Sequence, residues 1–489
     1  MFLGDTKDAH VVPFFINGKD YHPERSFDVV SPVTGKVSHR CGAATVSDAA
    51  AAVDAAAAAF KTWRRTSPAY RRDIFLKAAD LIQQKGGELA DVMANETGAS
   101  LPWALFNIKT AAELIRDAAS RISAIEGSFP SLADPNSSGI VLREPYGVVL
   151  SVAPWNAPYI LPTRSIVGPA AAGNTVVLKA SEHAPACMRA LIYVFHEAGV
   201  PSGVINMIAH DRDTAAEITT ALIANPHVRK INFTGSTGVG RVIGRLAGEH
   251  LKPVILELGG KAPAIVWEDA DLDLAAQQCA IGAFLHGGQI CMSTEKIIVH
   301  SKVRPQFQEK LVAAVNEIFP PDSPAPLLIN EAAVKRNKAL VQDAAAKGAT
   351  VILGNVHNDD DDANESSRGG STELRPVIVG DVTPEMDLYA TESFGPTVSL
   401  HEVETEAQAL ALANDSEYGL TAAVFTDDLR RGLRFAREID SGAVHINDMT
   451  VHDEPALPHG GTKSSGFGRF NSAIGLDEWV RTKTVTFKH

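Results

Sequence analysis

The sequence predicts a doubly wound α/β fold, on three observations. Short β-branched runs recur, helical segments separate them, and polar or glycine-rich residues directly follow the runs. The apolar runs lie at 147–153, 175–179, 204–208, 230–233 and 253–258. They are continuous rather than alternating, as strands buried on both faces are. Helical patterns fill 162–172, 184–198, 214–224 and 239–247, so each connection reads as a βαβ crossover. A second α/β unit begins after Gly260, with helix 271–285, strand 296–300, helices 305–319 and 332–347, and strand 422–425. Ahead of both units, Ser47 and Asp48 are expected to cap an Ala-rich helix ending at Trp63. One amphipathic helix is expected over 69–95, where Ile74, Leu76, Leu81 and Ile82 share a face. The polar stretch 354–372 holds four consecutive aspartates, but not at calcium-loop spacing, and reads as a solvated loop.

A chain of 489 residues needs more than one core. Its 45% hydrophobic and 21% charged content is that of a soluble globular protein. The net charge of −13, with no Lys/Arg run, argues against nucleic acid or an anionic membrane as partner. Four cysteines, none in a C-x-x-C pair, make neither a disulfide framework nor a zinc site, so no metal is expected. No secretory leader is read at the start, and no apolar run reaches the roughly 18 residues of a membrane helix. A cytoplasmic location is expected.

Ligands of open α/β sheets bind beyond the carboxyl ends of the strands. The first run is followed there by Ala153-Pro-Trp-Asn156 and the second ends in Lys179-Ala-Ser-Glu182. The fourth gives Phe233-Thr-Gly-Ser-Thr-Gly-Val-Gly240 and the fifth Glu257-Leu-Gly-Gly260. Gly235, Ser236 and Gly240 open a helix whose N-terminal N–H groups and dipole suit a phosphate. The third glycine of a dinucleotide fingerprint is replaced by Ile243, and a plain glycine-rich turn reads the same way. Lys179 suits ribose hydroxyls, while Glu182 suits an adenosine 2′-OH and repels a 2′-phosphate, which favours NAD over NADP. Cys187 and Cys279 fall within helices and, with Cys41, read as core residues. Cys291 lies in the glycine-flanked Gly287-Gly-Gln-Ile-Cys291, where its sulfur is approachable. Glu257, at a strand end before two glycines, reads as a general base for water.

Six segments together resemble the aldehyde dehydrogenase superfamily over nearly the whole chain. They are Pro154-Trp155-Asn156, Lys179-Ala-Ser-Glu182, Phe233-Thr-Gly-Ser236, Glu257-Leu-Gly-Gly-Lys261, Gly288-Gln-Ile-Cys291 and Glu392-Ser-Phe-Gly-Pro396. The resemblance implies a doubly wound cofactor domain (1–124 and 148–259), an α/β catalytic domain (260–465), and a small β oligomerisation element. That element would be formed by 125–147 and 478–489, in a homodimer or homotetramer. It further implies that Cys291 attacks the aldehyde, that Asn156 and the Cys291 N–H hold the oxyanion, and that Glu257 activates the water that hydrolyses a thioester. Glu392 would hold the nicotinamide ribose, Phe394 would pack near the ring, Ser236 would meet the pyrophosphate, and Trp155 would line the site.

The substrate is read from fewer residues. Arg164, on the helix expected to flank the substrate tunnel, suggests an anionic or phenolic oxygen on the aldehyde; pairing with a nearby carboxylate is the other reading. Trp103 is either a stacking wall or a core residue. Succinate-semialdehyde dehydrogenases often share the arginine, but Lys296 and Ser293 stand where that group usually differs. The stretches Met449-Thr-Val-His-Asp-Glu-Pro-Ala-Leu-Pro-His-Gly-Gly461 and Ser465-Gly-Phe-Gly-Arg-Phe470 resemble salicylaldehyde and vanillin dehydrogenases. A hydroxylated benzaldehyde is therefore expected. Asn156, Glu257 and Cys291 together argue against an inactive protein of the same fold, and Glu257 argues against acyl transfer to coenzyme A.

Overall fold

Val148–Val152 and Thr175–Lys179 are buried at every position, so helices must cover both faces of their sheet. The computed structural model describes residues 11–355 and 372–489. The four-aspartate stretch, with the loop expected there, lies outside the described residues. The first sheet runs in the order Gly466–Phe467, Val254–Glu257, Val228–Thr234, Val148–Val152, Thr175–Lys179, Ile205–Ile208, Phe14–Ile16, Lys19–Tyr21. Its inner strands, from Val254–Glu257 to Ile205–Ile208, are all parallel and coincide with the apolar runs of the sequence. The outer strands are antiparallel and too short to stand out as periodic segments. The second sheet is ordered Thr350–Leu353, Val377–Gly380, Thr397–Val403, Thr294–His300, Ala262–Val266, Thr421–Phe425, Ala443–Ile446. Only its first strand is antiparallel. Ser137–Pro145 and Val480–Lys488 form a separate antiparallel ribbon, within the two stretches expected to join.

Two helix expectations near the N-terminus are corrected. The helix Val46–Trp63 is capped by Thr45, leaving Ser47 and Asp48 inside it. Thr45 Oγ1 accepts from the Asp48 N–H at 3.2 Å while Asp48 Oδ2 accepts from the Thr45 N–H at 2.8 Å, a reciprocal box that satisfies two donors. The stretch 69–95 is two helices, Pro68–Gln84 and Gly86–Thr97, broken at Lys85 where Gly86 and Gly87 weaken helical continuity. A helix over Leu101–Arg121, capped by Ser100, follows them and was not anticipated.

A distant segment closes the first sheet beside its functional edge. Gly466 pairs with Glu257 and Phe467 with Leu256. Ser465 Oγ donates to the Gly259 carbonyl at 2.6 Å and accepts from the Gly419 N–H at 2.9 Å, and the Leu258 N–H donates to the Ser465 carbonyl at 3.0 Å. Gly466 has φ +100°, and a Cβ there would fall on the Leu256 carbonyl oxygen. Gly466→Ala is therefore expected to cost about 2–4 kcal/mol and lower the melting temperature. Thermal unfolding checks it; an unchanged transition would mean that this joint tolerates a side chain.

Candidate active site

A cavity of about 870 Å³ opens where the parallel strands of the first sheet end. Trp155, Asn156, Lys179, Glu182, Gly235, Ser236, Glu257, Cys291, Glu392 and Phe394 all line it. Gly240, Trp103 and Arg164 do not. A Cβ on Gly240 would strike Leu258, so this glycine lets the helix Thr237–Glu249 lie close to the strand end. Trp103 is buried behind the cavity and stacks between Phe106 and His286, with both ring centroids 5.4 Å away. Its Nε1–H donates to the Asn156 carbonyl at 3.2 Å, so it braces that residue from behind. Arg164 is buried and paired with Asp453, which is the carboxylate alternative in the sequence reading.

Cys291 sits in a tight turn between the short helix Leu285–Gly288 and strand Thr294–His300. Of the four cysteines it alone is half-exposed, the others being buried. Positive φ at His286, Gly287 and Gly288 reverses the chain here. Gln289 then fixes the turn: its Nε2 donates to the His286 and Leu327 carbonyls at 3.0 Å each, and its Oε1 accepts from the Ile329 N–H at 2.9 Å. Asn156 Nδ2 donates to the Gln289 carbonyl at 3.0 Å, which ties the Asn156 amide to the cysteine turn. An amide nitrogen carries two hydrogens, so one remains to meet developing negative charge.

Glu257 is 1% exposed, and neither carboxylate oxygen hydrogen-bonds to another group among the described residues. Burial pushes its carboxyl up, but His459, Arg164 and the Cys291 thiol outweigh burial and hold it below the usual range. Burial and the neighbouring Glu257 carboxylate push the Cys291 thiol well up, with Arg164 opposing. The resting pair is therefore a neutral thiol beside a carboxylate. Such a pair can pass a proton from sulfur to oxygen as the sulfur bonds to carbon.

The other end of the cavity has the chemistry of a dinucleotide cradle. Ser236 is the N-cap of the helix Thr237–Glu249, yet its hydroxyl makes no capping hydrogen bond. A Cβ on Gly235 would approach the Phe233 ring to 2.6 Å, so the turn is shaped for close backbone approach. Lys179 Nζ lies 4.0 Å from Glu182 Oε2, and burial draws its ammonium down. Glu182 also has His183 at 4.0 Å and Arg212 at 3.8 Å. Cation, carboxylate and helix terminus fit a ribose and pyrophosphate. Between the two ends stands Glu392, whose Oε1 accepts from the Gly260 N–H at 2.9 Å. Burial and the nearby Glu295 push its carboxyl up to about 7.

The sequence reading missed the pair that holds Glu392 and Phe394. Lys261 and Glu295 are fully buried partners at 2.6 Å, and Lys261 also donates to the Thr391 carbonyl at 2.8 Å. Glu295 accepts from the N–H groups of Ser393 at 2.8 Å and Phe394 at 3.1 Å, fixing a turn in which Phe394 has φ +45°. Lys261 was inside a quoted motif, but nothing local marked Glu295 as its partner. Asp453 and His459 were likewise missed, although both lie in the segment 449–461.

Residues 19–485 match the aldehyde dehydrogenase family. The chain is similar to the vanillin dehydrogenase of Pseudomonas fluorescens, 45% identical with 98% of each chain covered. Its structure is similar to that of a salicylaldehyde dehydrogenase from Pseudomonas putida G7 complexed with salicylaldehyde, at TM-score 0.92 and 37% identity over 98% of each chain. The same TM-score, 0.92, relates it to a succinate-semialdehyde dehydrogenase from Burkholderia pseudomallei at 32% identity, covering 99% of this chain and 100% of that one.

Removing one member of a buried ion pair strands the other. Lys261→Met is expected to cost about 3–5 kcal/mol by leaving Glu295 uncompensated. Chemical denaturation measures this, and a loss below about 1 kcal/mol would show that the pair is dispensable.

Proposed function

We propose that this chain, which belongs to the aldehyde dehydrogenase family, oxidises a hydroxylated aromatic aldehyde to its acid through a thioester on Cys291. The observation that carries the reading is the convergence of Cys291, Glu257 and Asn156 at one end of a cavity whose other end suits a dinucleotide.

The Cys291 sulfur bonds to the aldehyde carbon as its proton passes toward Glu257. The resulting oxyanion is met by the free N–H of the Asn156 amide and by the Cys291 backbone N–H. A bound nicotinamide would supply the hydride acceptor that lets the former aldehyde carbon become a thioester carbonyl. Glu257 gives up the thiol's proton to solvent, then takes a proton from water as the water oxygen attacks that carbonyl; the C–S bond breaks to release the acid, and the sulfur takes that proton back from Glu257. Burial of Glu257 keeps bulk water from competing, while its neighbours hold its carboxyl below the usual range and so keep it ionised.

The family uses NAD(P). Ser236, Gly235, Lys179 and Glu182 would hold the pyrophosphate and adenosine ribose, with Glu392 at the nicotinamide ribose and Phe394 and Trp155 beside it. Glu182 supports NAD as the preferred form, because its carboxylate would face a 2′-phosphate.

For the substrate, the support is the likeness to a vanillin dehydrogenase and to a salicylaldehyde complex. Arg164 does not line the cavity and its Nη2 is committed to Asp453, so it is proposed to act through its charge on Glu257 and Cys291 rather than as a donor to the ring oxygen. Trp103 would act through the Asn156 backbone, as a wall behind the reacting centre. A semialdehyde ending in a carboxylate would want a second cation, and Lys296 is spent on the Leu412 and Asp415 carbonyls.

Cys291→Ala should abolish turnover while leaving NAD binding intact, and Glu257→Gln should give a slower first burst of NADH, the thiol then losing its proton to solvent alone, and slow the steady state by about 10²-fold or more. Normal steady-state oxidation by the Cys291 variant would overturn the assignment. In a substrate panel, salicylaldehyde or vanillin should exceed succinate semialdehyde in kcat/KM by about tenfold or more, since a misplaced charge costs several kcal/mol; the reverse order would sink the aromatic reading. Dinucleotide affinity should strengthen as pH rises through about 7, because Glu392 then ionises and can accept from two ribose hydroxyls. Glu392→Gln should flatten that dependence in a binding titration.

A further inference from the structure

We propose that His459 is a positioning residue for Glu257, holding that carboxylate ionised and aimed for thioester hydrolysis. This rests on the reading of Glu257 as the water-activating base. His459 Nε2 lies 3.8 Å from Glu257 Oε1, with side chains 10% and 1% exposed. That is short of a hydrogen bond, but Nε2 and both carboxylate oxygens lack any other partner among the described residues. Unpartnered polar atoms of opposite character, buried face to face, are worth more together than apart.

One joint places both residues. Glu257 is registered against Gly466, and His459 exchanges two backbone hydrogen bonds with Phe470, at 3.0 and 2.8 Å. The loop 459–470 is thus closed by His459 and Phe470 and pinned to Glu257 through Gly466 within it. Gly460 permits the turn: with φ +158°, a Cβ there would come within 2.5 Å of the Gly468 carbonyl oxygen. The segment that closes the sheet therefore also delivers the imidazole.

The other charged groups facing this pair do not take over the role. Glu257 feels Arg164, from helix Ile160–Ala171, and the Cys291 thiol, which feels Glu392 in turn. Arg164 is committed to Asp453, whose other oxygen accepts from Asn471 Nδ2 at 3.0 Å. Asp453 and His445 also couple electrostatically to His459. His459 Nε2 is the unpartnered nitrogen that lies within 4 Å of the carboxylate. During hydrolysis the water proton goes to Glu257, the water oxygen bonds to the acyl carbon, and the C–S bond breaks. His459 gains and loses nothing; it lowers the cost of keeping Glu257 anionic before the step.

The test uses His459→Phe and His459→Gln in the full chain with NAD and benzaldehyde, following the NADH burst and the steady state from pH 5 to 9. In the Phe variant the burst should persist while the acidic limb of the steady-state profile moves to higher pH, with turnover roughly tenfold slower below neutrality and near wild type at high pH. The Gln variant, which keeps a donor, should move the limb back toward wild type. An acidic limb unmoved in the Phe variant, or an equal loss at every pH in both variants, would overturn the proposal. A wild-type chain that turns over with no acyl adduct on residue 291 would instead overturn the parent reading, so the two failures are separable.

Discussion

Gly259 and Gly260 carry the chain from the first sheet to the second through a passage with no room for a side chain. A Cβ on Gly259 would stand 2.5 Å from Glu392 Oε2, and one on Gly260 would stand 2.5 Å from the Cys291 carbonyl oxygen. Their smallness lets three separate segments meet within one hydrogen-bond length of the same backbone. Gly260 N–H holds Glu392, Gly259 carbonyl holds Ser465, and the flanking residues are Glu257 and Lys261. Cys291, Glu257 and Glu392 are thus indexed to this crossing.

The crossing also crowds ionisable groups into a space with little water, and their mutual charges set which of them are ionised. Burial alone would neutralise Glu257, Glu392 and Cys291 alike. Glu257 escapes because His459, Arg164 and the Cys291 thiol surround it, whereas Glu392 sits near Glu295 and rises to about 7. Glu295 is itself neutralised by Lys261, whose ammonium is wholly enclosed. Two carboxylates of one cavity thereby acquire different protonation habits from their neighbours alone.

Much of the architecture was legible because parallel strands buried on both faces must be written as continuous apolar runs, and the residues after them must sit at one edge. Val148–Val152 and Thr421–Phe425 read that way at once. Cys291 was separable from Cys41, Cys187 and Cys279 because glycines flank it and helix or strand periodicity does not. What was illegible depends on contact across long stretches of chain. Nothing near Arg164 announces Asp453, and nothing near Glu257 announces His459. Local errors had local causes: Thr45 outcompetes Ser47 as a cap because Asp48 reaches back to it, and two glycines split a helix whose apolar spacing continues across them.

The exposure of the cysteines has a consequence for how the molecule ages. Three thiols are enclosed, so an electrophile or oxidant entering from solvent finds a single sulfur, and damage should scale one-to-one with lost function. That sulfur is held as a neutral thiol, which peroxides attack far more slowly than a thiolate. The arrangement that delays deprotonation until an aldehyde arrives thus doubles as a guard against oxidation at rest.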